Sequence, residues 1–110
     1  MPPGSHAPLT PPVFHVLLAL SDGPMHGYAI MQRAEEVSGQ TMGPGTIYGS
    51  LRRLAEAGWV AESGIEDDDA RRGRSFLLTE LGRAALADEA RRITGLARLD
   101  QVRQLVPETP

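Results

Sequence analysis

The sequence contains no cysteine and no lysine, so all eleven of its basic residues are arginines. Without cysteine, a disulfide framework and thiolate chemistry are excluded. No apolar run approaches the roughly 20 residues that a membrane-spanning helix needs. The N-terminus also lacks the basic region and the long hydrophobic segment of a secretion signal. We therefore expect a cytoplasmic protein, and the length of 110 residues suits a single domain.

Catalytic and metal-binding patterns are also missing. The sequence shows no nucleophile–base arrangement and no glycine-rich phosphate cradle, so we expect neither enzymatic activity nor a cofactor. The three histidines do not predict a metal site, because zinc needs ligands that converge at close range. His6 lies in a proline-rich tail, His15 within an apolar run and His26 at a turn.

The charge is distributed unevenly along the chain. A formal net charge of −3 argues mildly against a nucleic-acid partner, but the local distribution matters more than the sum. Arginines cluster at 52–53 and at 71–74, whereas acidic residues stand together at 66–69. This acidic run either is a solvated loop tip that points away from a nucleic acid, or screens the neighbouring arginines and lowers non-specific affinity.

Residues 43–58 predict a helix with one apolar face. Ile47, Leu51 and Leu54 follow one another at helical spacing, which places them on one side together with Gly58. Gly58 also suits a left-handed end of the helix.

The opposite face of this helix is small and basic. It carries Gly45, Gly49 and Arg52 together with one acidic residue, Glu56, and it is flanked by Tyr48 and Arg53. Small residues leave room for a close approach and guanidinium groups suit phosphate, so this face predicts contact with a phosphodiester backbone. The alternative is the solvated face of an ordinary core helix, because surface arginines are common. At the start of the helix, Thr46 suits either a plain cap or a phosphate contact.

A second helix precedes this one. Residues 25–37 have helical spacing, and residues 38–43 form a short break with turn chemistry. Two short amphipathic helices joined by such a turn predict a helix-turn-helix. The apolar run at 13–20 predicts the first helix of a three-helix core. We expect the inner face of the second helix to consist of Ile30, Ala34 and Val37.

The segment after the arginine-bearing helix predicts a β-hairpin. Residues 59–63 and 74–79 are short and strand-like, and the charged residues 64–73 lie between them. A hairpin directly behind a helix-turn-helix is the layout of a winged helix-turn-helix, with 64–73 as the wing tip. We therefore predict a mainly α fold with a small β-hairpin, in which residues 10–79 form a winged helix-turn-helix DNA-binding domain behind a disordered tail at 1–9.

The last segment predicts one long helix that ends near Val106. Thr79 suits its N-cap, and Pro107 stops it. At about 1.5 Å per residue the helix is near 40 Å long, which exceeds what a small core covers. Its apolar side therefore needs a partner, and a second copy of the chain is the simplest one. On this C-terminal dimerisation helix, 80–106, the candidate contact residues are Leu86, Ile93, Leu96, Leu99, Val102 and Val106.

Four motifs together resemble the PadR family of bacterial transcriptional regulators. They are LLALSDGPMHGY at 17–28, GTIY at 45–48, LRRL at 51–54 and LTELG at 78–82. The single terminal helix is similar to that of the short-chain branch, which dimerises through this helix and the first one. On the first helix the matching candidates are Phe14 and Leu17. The resemblance implies a homodimeric repressor that binds an operator in double-stranded DNA and is released by a small hydrophobic or aromatic effector.

The helix face and the resemblance together give the candidate DNA contacts. Arg52 and Arg53 either divide between a phosphate and a guanine edge, or contact phosphate only. Tyr28 either contacts the DNA backbone or packs in the core. Tyr48 either donates its hydroxyl to a phosphate or packs at the helix junction. Arginines on the wing suit the minor groove or its phosphates. The complete candidate set is Tyr28, Thr46, Tyr48, Gly49, Arg52, Arg53, Arg72 and Arg74.

A different class of function is also compatible with the sequence. A winged-helix sensor or adaptor would bind a protein or a small molecule without specific DNA binding, and the acidic net charge favours that alternative. Whether the purified protein shifts a DNA fragment at low salt separates the two hypotheses.

Overall fold

The computed structural model describes residues 8–63 and 74–106, where the chain forms five α-helices and three short β-strands. In chain order they are α1 (Pro11–Leu20), β1 (Met25–His26), α2 (Gly27–Ser38), α3 (Pro44–Glu56), β2 (Val60–Glu62), β3 (Ser75–Leu78), α4 (Glu80–Ala97) and α5 (Asp100–Leu105). This confirms the predicted mainly α fold. The predicted wing tip at 64–73 and the predicted tail up to residue 7 lie outside the described residues. None of the described helices is long and apolar enough to cross a membrane.

Helix α1 lies at the centre of the fold. It contacts α2, α3, α4 and β3, and its apolar run is buried accordingly, with Val16, Leu17 and Leu20 fully covered. Ile30 of α2 and Ile47 of α3 belong to the same core cluster. Because these side chains form one continuous apolar interior, α1 fixes the positions of α2 and α3 relative to each other.

The sheet has the strand order β1–β3–β2, and both pairings are antiparallel. Val60 pairs with Leu78 between β2 and β3, which confirms the predicted hairpin. Met25 of β1 pairs with Phe76 on the other edge of β3. The sequence analysis did not predict β1, because two residues are too few to show an alternating pattern. Through β1, the hairpin is hydrogen-bonded to the segment that leads into α2.

Helix α3 begins at Pro44, two residues before Thr46, so Thr46 is not its N-cap. Pro44 occupies its first turn, and Gly43 is the N-cap residue without a side-chain hydrogen bond. Thr46 is therefore an exposed residue of the first turn and not the cap. The predicted left-handed end is confirmed, because Gly58 has a φ of +81°, which residues with a Cβ rarely adopt.

One expectation for the inner face of α2 was wrong. Ile30 and Ala34 are completely buried, but Val37 is 44% exposed. Val37 lies in the last turn of α2, which ends at Ser38. Helical spacing alone indicated a continuous apolar face, whereas the core covers only the first turns of this helix.

The predicted helix over 80–106 is broken in two. Helix α4 ends at Ala97, and Leu99 has an extended backbone with a ψ of 134° before α5 begins. All residues from 90 to 106 are exposed, so no core packing of the protomer holds them in one helix. Gly95 lowers the helix propensity just before the break by about 1 kcal/mol relative to alanine. The expected length near 40 Å was therefore wrong, and α4 is about 27 Å long.

The start of α4 is fixed by its cap. The Thr79 hydroxyl accepts a hydrogen bond from the backbone N–H of Gly82 at 3.0 Å, which confirms Thr79 as the N-cap. The same hydroxyl donates to the carbonyl oxygen of Gly58 at 2.6 Å. The first turn of α4 is thereby attached to the chain that leaves α3.

A buried carboxylate ties the segment before α1 to α4. Glu89 is 2% exposed, and its Oε2 accepts a hydrogen bond from the backbone N–H of Leu9 at 3.0 Å. Arg92 donates from Nε to Oε1 of Glu89 at 2.6 Å and from Nη2 to Oε2 at 3.0 Å. The hydrogen bond to Glu89 raises the pKa of Arg92 above its usual value. Leu9, which was predicted to lie in the tail, is thus attached to the helical core.

Replacing Glu89 with alanine is expected to lower the free energy of unfolding by about 2 kcal/mol, because the N–H of Leu9 and the guanidinium of Arg92 lose their acceptor. Urea unfolding at a fixed protein concentration measures the change. The control is Glu36→Ala, which removes an exposed carboxylate paired with Arg33 at 3.3 Å. The control should change the stability by less than about 0.5 kcal/mol. Equal losses in both variants would contradict the anchoring role.

Candidate nucleic-acid interface

The exposed face of α3 combines two glycines with two arginines. The apolar residues on the other side of the helix are buried, as the spacing predicted. Arg52 and Arg53 are both exposed. A Cβ added at Gly45 or at Gly49 would meet nothing within 4 Å, so the surface beside both glycines is open. A large ligand can therefore approach the backbone of α3 closely and still reach both guanidinium groups.

Neither Arg52 nor Arg53 forms an ion pair with a carboxylate among the described residues. Among residues 8–63 and 74–106, the carboxylates that form ion pairs do so with other arginines. Guanidinium groups hold their charge at any physiological pH and present planar donors that match phosphate oxygens. The two side chains are therefore available to an external anion.

Tyr48 lies at the contact between α3 and α2. A Cβ added at Gly27 would come within 2.5 Å of the Tyr48 hydroxyl, so the ring lies directly against the first residue of α2. Tyr48 nevertheless remains 43% exposed. Tyr48 thus packs at the helix junction while part of its surface stays open to solvent.

Tyr28 is not a core residue. It is 59% exposed in the first turn of α2, and its hydroxyl accepts a hydrogen bond from Gln32 Nε2 at 3.4 Å. The packing alternative is wrong for this side chain, because the neighbouring helices do not cover it. Its hydroxyl remains accessible on the same helix that supports Tyr48.

On the wing side, Arg74 is held by two interactions. Its guanidinium donates to Glu62 Oε1 at 2.8 Å, and its carbonyl oxygen accepts a hydrogen bond from the N–H of Gly27 at 3.3 Å. Arg74 lies at the base of the wing, next to the start of α2. Arg72, the other predicted wing contact, lies outside the described residues.

A groove of about 450 Å³ separates α3 from the sheet. Its apolar floor includes Leu51 and Phe76, and its polar side chains come from both walls. The complete lining consists of Tyr48, Leu51, Arg52, Ala55, Glu62, Arg74 and Phe76. The groove therefore brings Arg52 of α3 and Arg74 at the base of the wing to one surface.

The sequence profile of the Transcriptional regulator PadR-like family matches residues 16–88, which is more than half of the chain. The chain belongs to this family. PadR-like proteins are transcriptional regulators, so the chain is assigned to transcription regulation and not to an enzyme class. This confirms both the resemblance stated from the sequence motifs and the expectation that the protein is not an enzyme.

Relatives of the PadR-like chain support the assignment. Over 85 residues it is 36% identical to the transcriptional regulator Rv3488 of Mycobacterium tuberculosis, a match that covers 76% of this chain and 77% of that protein. Over 82 residues it is 45% identical to an uncharacterized 37.1 kDa protein in transposon TN4556 of Streptomyces fradiae. That match covers 74% of this chain, which spans only 23% of the Streptomyces protein.

A solved structure supports the fold of the PadR-like chain. The protein smu.1704 from Streptococcus mutans UA159 superposes with a TM-score of 0.71 at 19% sequence identity. The superposition covers 96% of this chain and 99% of that one. The two folds therefore agree over almost the whole length of both chains.

The candidate dimer contacts of the PadR-like chain divide into two groups. Leu17 and Leu86 are buried in the core of a single protomer, and Phe14 packs against that core. Leu17 and Leu86 are therefore removed from the candidate interface, because a partner cannot reach them. Six candidates remain. Phe14 is partly buried against the core, and the other five are exposed by 36% to 63%: Ile93, Leu96, Leu99, Val102 and Val106.

Glu62, which lines the groove between α3 and the sheet, is not among the residues predicted from the sequence. Glu62 pairs with Phe76 in the hairpin register, so the side chain of Glu62 lies close to the start of β3 and to Arg74. The predicted hairpin contained this signal, since antiparallel pairing brings the ends of the two strands together.

Proposed function

We propose that this PadR-like regulator binds double-stranded DNA through the exposed face of α3 and the base of its wing. The observation that carries the proposal is the pair Arg52 and Arg53, exposed beside open glycine positions and without a carboxylate partner in the described ranges. Tyr48 and Thr46 extend this surface toward the start of α3. A helix of this shape fits the major groove, where arginine contacts phosphate and guanine edges.

We propose further that two copies of the chain act together. The support is the row of exposed apolar side chains beyond residue 90, which include Ile93, Leu96 and Leu99. A second copy would cover this row and would carry a second α3. Two such helices fit successive major grooves, about 34 Å apart, on a nearly palindromic site.

The decisive variant is Arg52→Ala combined with Arg53→Ala. It is expected to weaken binding to a DNA duplex at least about 100-fold at low salt, because phosphate contacts are lost. The slope of log K against log salt should become shallower by about 0.9 for each lost contact. Fluorescence anisotropy with a labelled duplex measures both quantities.

A matched control changes the same charge elsewhere. Arg83→Ala combined with Arg91→Ala removes two exposed arginines from α4, outside the helix-turn-helix. This control should retain binding within about threefold of the parent. A double variant at 52 and 53 that binds as tightly as the control would refute the assignment of α3. Failure of the parent protein to bind any duplex at low salt would favour the alternative, a winged-helix adaptor for a protein or small molecule.

The sign of regulation is a separate part of the proposal. We propose repression that is relieved by a small hydrophobic or aromatic effector, and the support for this is the family resemblance. A reporter gene placed behind a bound genomic fragment measures the sign directly. Increased expression in cells that produce the regulator would contradict a repressor role.

A further inference from the structure

The groove between α3 and the wing contains one carboxylate. Of its lining residues, Arg52 and Arg74 are positive and Glu62 is negative, whereas the others are uncharged. A surface selected only for strong phosphate binding would not place a carboxylate in the same groove as two arginines, because the carboxylate repels the backbone of DNA. Glu62 therefore needs an explanation that the binding proposal alone does not give.

The position of Glu62 is well defined. Glu62 is the last residue of β2 and pairs with Phe76 of β3. The next residue, Ser63, donates its backbone N–H to the carbonyl oxygen of Ser75 at 2.8 Å. From there, Glu62 Oε1 accepts a hydrogen bond from Arg74 Nη1 at 2.8 Å. The backbone of Arg74 is held in turn by Gly27. Both side chains thus start from backbone that the sheet and α2 fix in place.

The pair contributes little to the fold. The side chains of Glu62 and Arg74 are 55% and 76% exposed, and exposed ion pairs are weak because water screens them. Loss of the pair should therefore leave the protein folded. Its main effect must be on the charge that the groove presents to a partner.

We propose that Glu62 limits the affinity of this protein for DNA, an inference that rests on the proposed DNA binding. In the free protein, Glu62 neutralises Arg74 and so removes one cation from the groove. When DNA is bound, Glu62 keeps Arg74 in the pair and away from a phosphate, and its own carboxylate repels the phosphates beside it. Glu62 thus keeps binding to arbitrary duplexes weak and reversible in a groove whose other charged residues are arginines.

The test is Glu62→Gln, which keeps the size of the side chain and removes its charge. The variant is expected to bind a mixed-sequence duplex about fivefold more tightly per protomer. Because Arg74 then neutralises one more phosphate, the slope of log K against log salt should become steeper by about 0.9. Anisotropy titrations use a duplex of about 30 base pairs, long enough for two half-sites.

The matched control is Glu36→Gln. Glu36 also belongs to an exposed ion pair, with Arg33 at 3.3 Å, but this pair lies on α2 and outside the groove. The control changes the net charge by the same amount and should leave affinity and salt slope within error of the parent. Tighter binding by both variants would show an effect of net charge and would overturn the role of Glu62.

A further variant, in which Arg74 is also replaced, tests whether Glu62 changes DNA binding by way of Arg74. In a protein that carries Arg74→Ala, Glu62→Gln should still improve binding but should no longer change the salt slope. If Glu62→Gln steepens the salt slope as much in the Arg74→Ala protein as in the parent, Glu62 does not act by neutralising Arg74.

Each result of the main comparison has one meaning. A parent that binds no duplex at low salt refutes the proposed function and this inference with it. A parent that binds, together with a Glu62→Gln variant that binds equally or more weakly, refutes only the inference. Weaker binding would mean that Glu62 positions Arg74 for DNA and does not limit affinity.

Discussion

Replacing Gly82 with alanine is expected to destabilise the protein by at least about 3 kcal/mol, a large part of the 5–15 kcal/mol that typically stabilises a small domain. A Cβ at this position would collide with the carbonyl oxygen of Trp59 and would lie 3.0 Å from Cδ1 of Leu78. The carbonyl cannot move away freely, because it accepts a hydrogen bond from the N–H of Thr79 at 3.0 Å. The added methyl group must therefore push α4 away from the end of α3 or break this link.

Gly95 provides the control for Gly82 within the same helix. A Cβ at Gly95 would meet nothing within 4 Å, so Gly95→Ala should stabilise α4 by up to about 1 kcal/mol through helix propensity. Urea unfolding followed by circular dichroism compares the two variants with the parent. A Gly82→Ala protein as stable as the parent would contradict the close packing of α4 on Trp59. The opposite signs expected for the two glycines make the comparison independent of any general effect of alanine.

The second large effect is expected from Leu96→Glu combined with Leu99→Glu. Both side chains are exposed, by 46% and 47%, in the apolar row beyond residue 90. If a second copy covers this row, four buried carboxylates would oppose the dimer, and dimerisation should weaken at least about 100-fold. Sedimentation equilibrium at micromolar concentration should then show single chains. Affinity for a duplex with two half-sites should fall by a similar factor, because the two winged helix-turn-helix units are no longer joined in one dimer.

Val37→Glu is the control for this pair of substitutions. Val37 is 44% exposed and apolar, but it lies on α2, away from the terminal helices. Its substitution should leave the mass and the DNA affinity of the parent unchanged. A parent that is already monomeric at micromolar concentration would refute the proposed dimer. A leucine variant that remains dimeric would refute the interface.

The elements that could be predicted from the sequence are those set by local chemistry. The apolar face of α3 followed from the spacing of its buried residues, and its end followed from Gly58. The cap at Thr79 was also a local signal, confirmed by its hydrogen bond to Gly82. In each case the residues that determine the structure lie within a few positions of one another, so no knowledge of the tertiary fold was needed.

The elements that escaped prediction depend on residues far apart in the chain. Strand β1 exists only because β3 offers it an edge. A glutamate among apolar residues of α4 indicates an exposed position, but Glu89 is buried because Leu9 and Arg92 satisfy its oxygens. The helix breaks at Leu99, where no described side chains of the same protomer cover the end of α4. The spacing of apolar residues in the sequence does not show whether a helix face will be covered.

The candidate site shows the same division. The exposed arginines of α3 were predictable from one helix, whereas the pairing of Arg74 with Glu62 required the register of the hairpin. The predicted role of Arg72 stays a prediction, since it lies outside the described residues. The same holds for the effect of the acidic run at 66–69.

Strand β3 has a neighbour on each edge, and this has a mechanical consequence. Because β1 continues directly into α2, the hairpin cannot tilt without pulling on the helix-turn-helix. We therefore expect the helix-turn-helix and the sheet to move as one rigid body. Any change of shape would then be concentrated in the unsupported chain around Leu99. In the proposed dimer, recognition of each half-site and the distance between the two half-sites are thus controlled by separate parts of the chain.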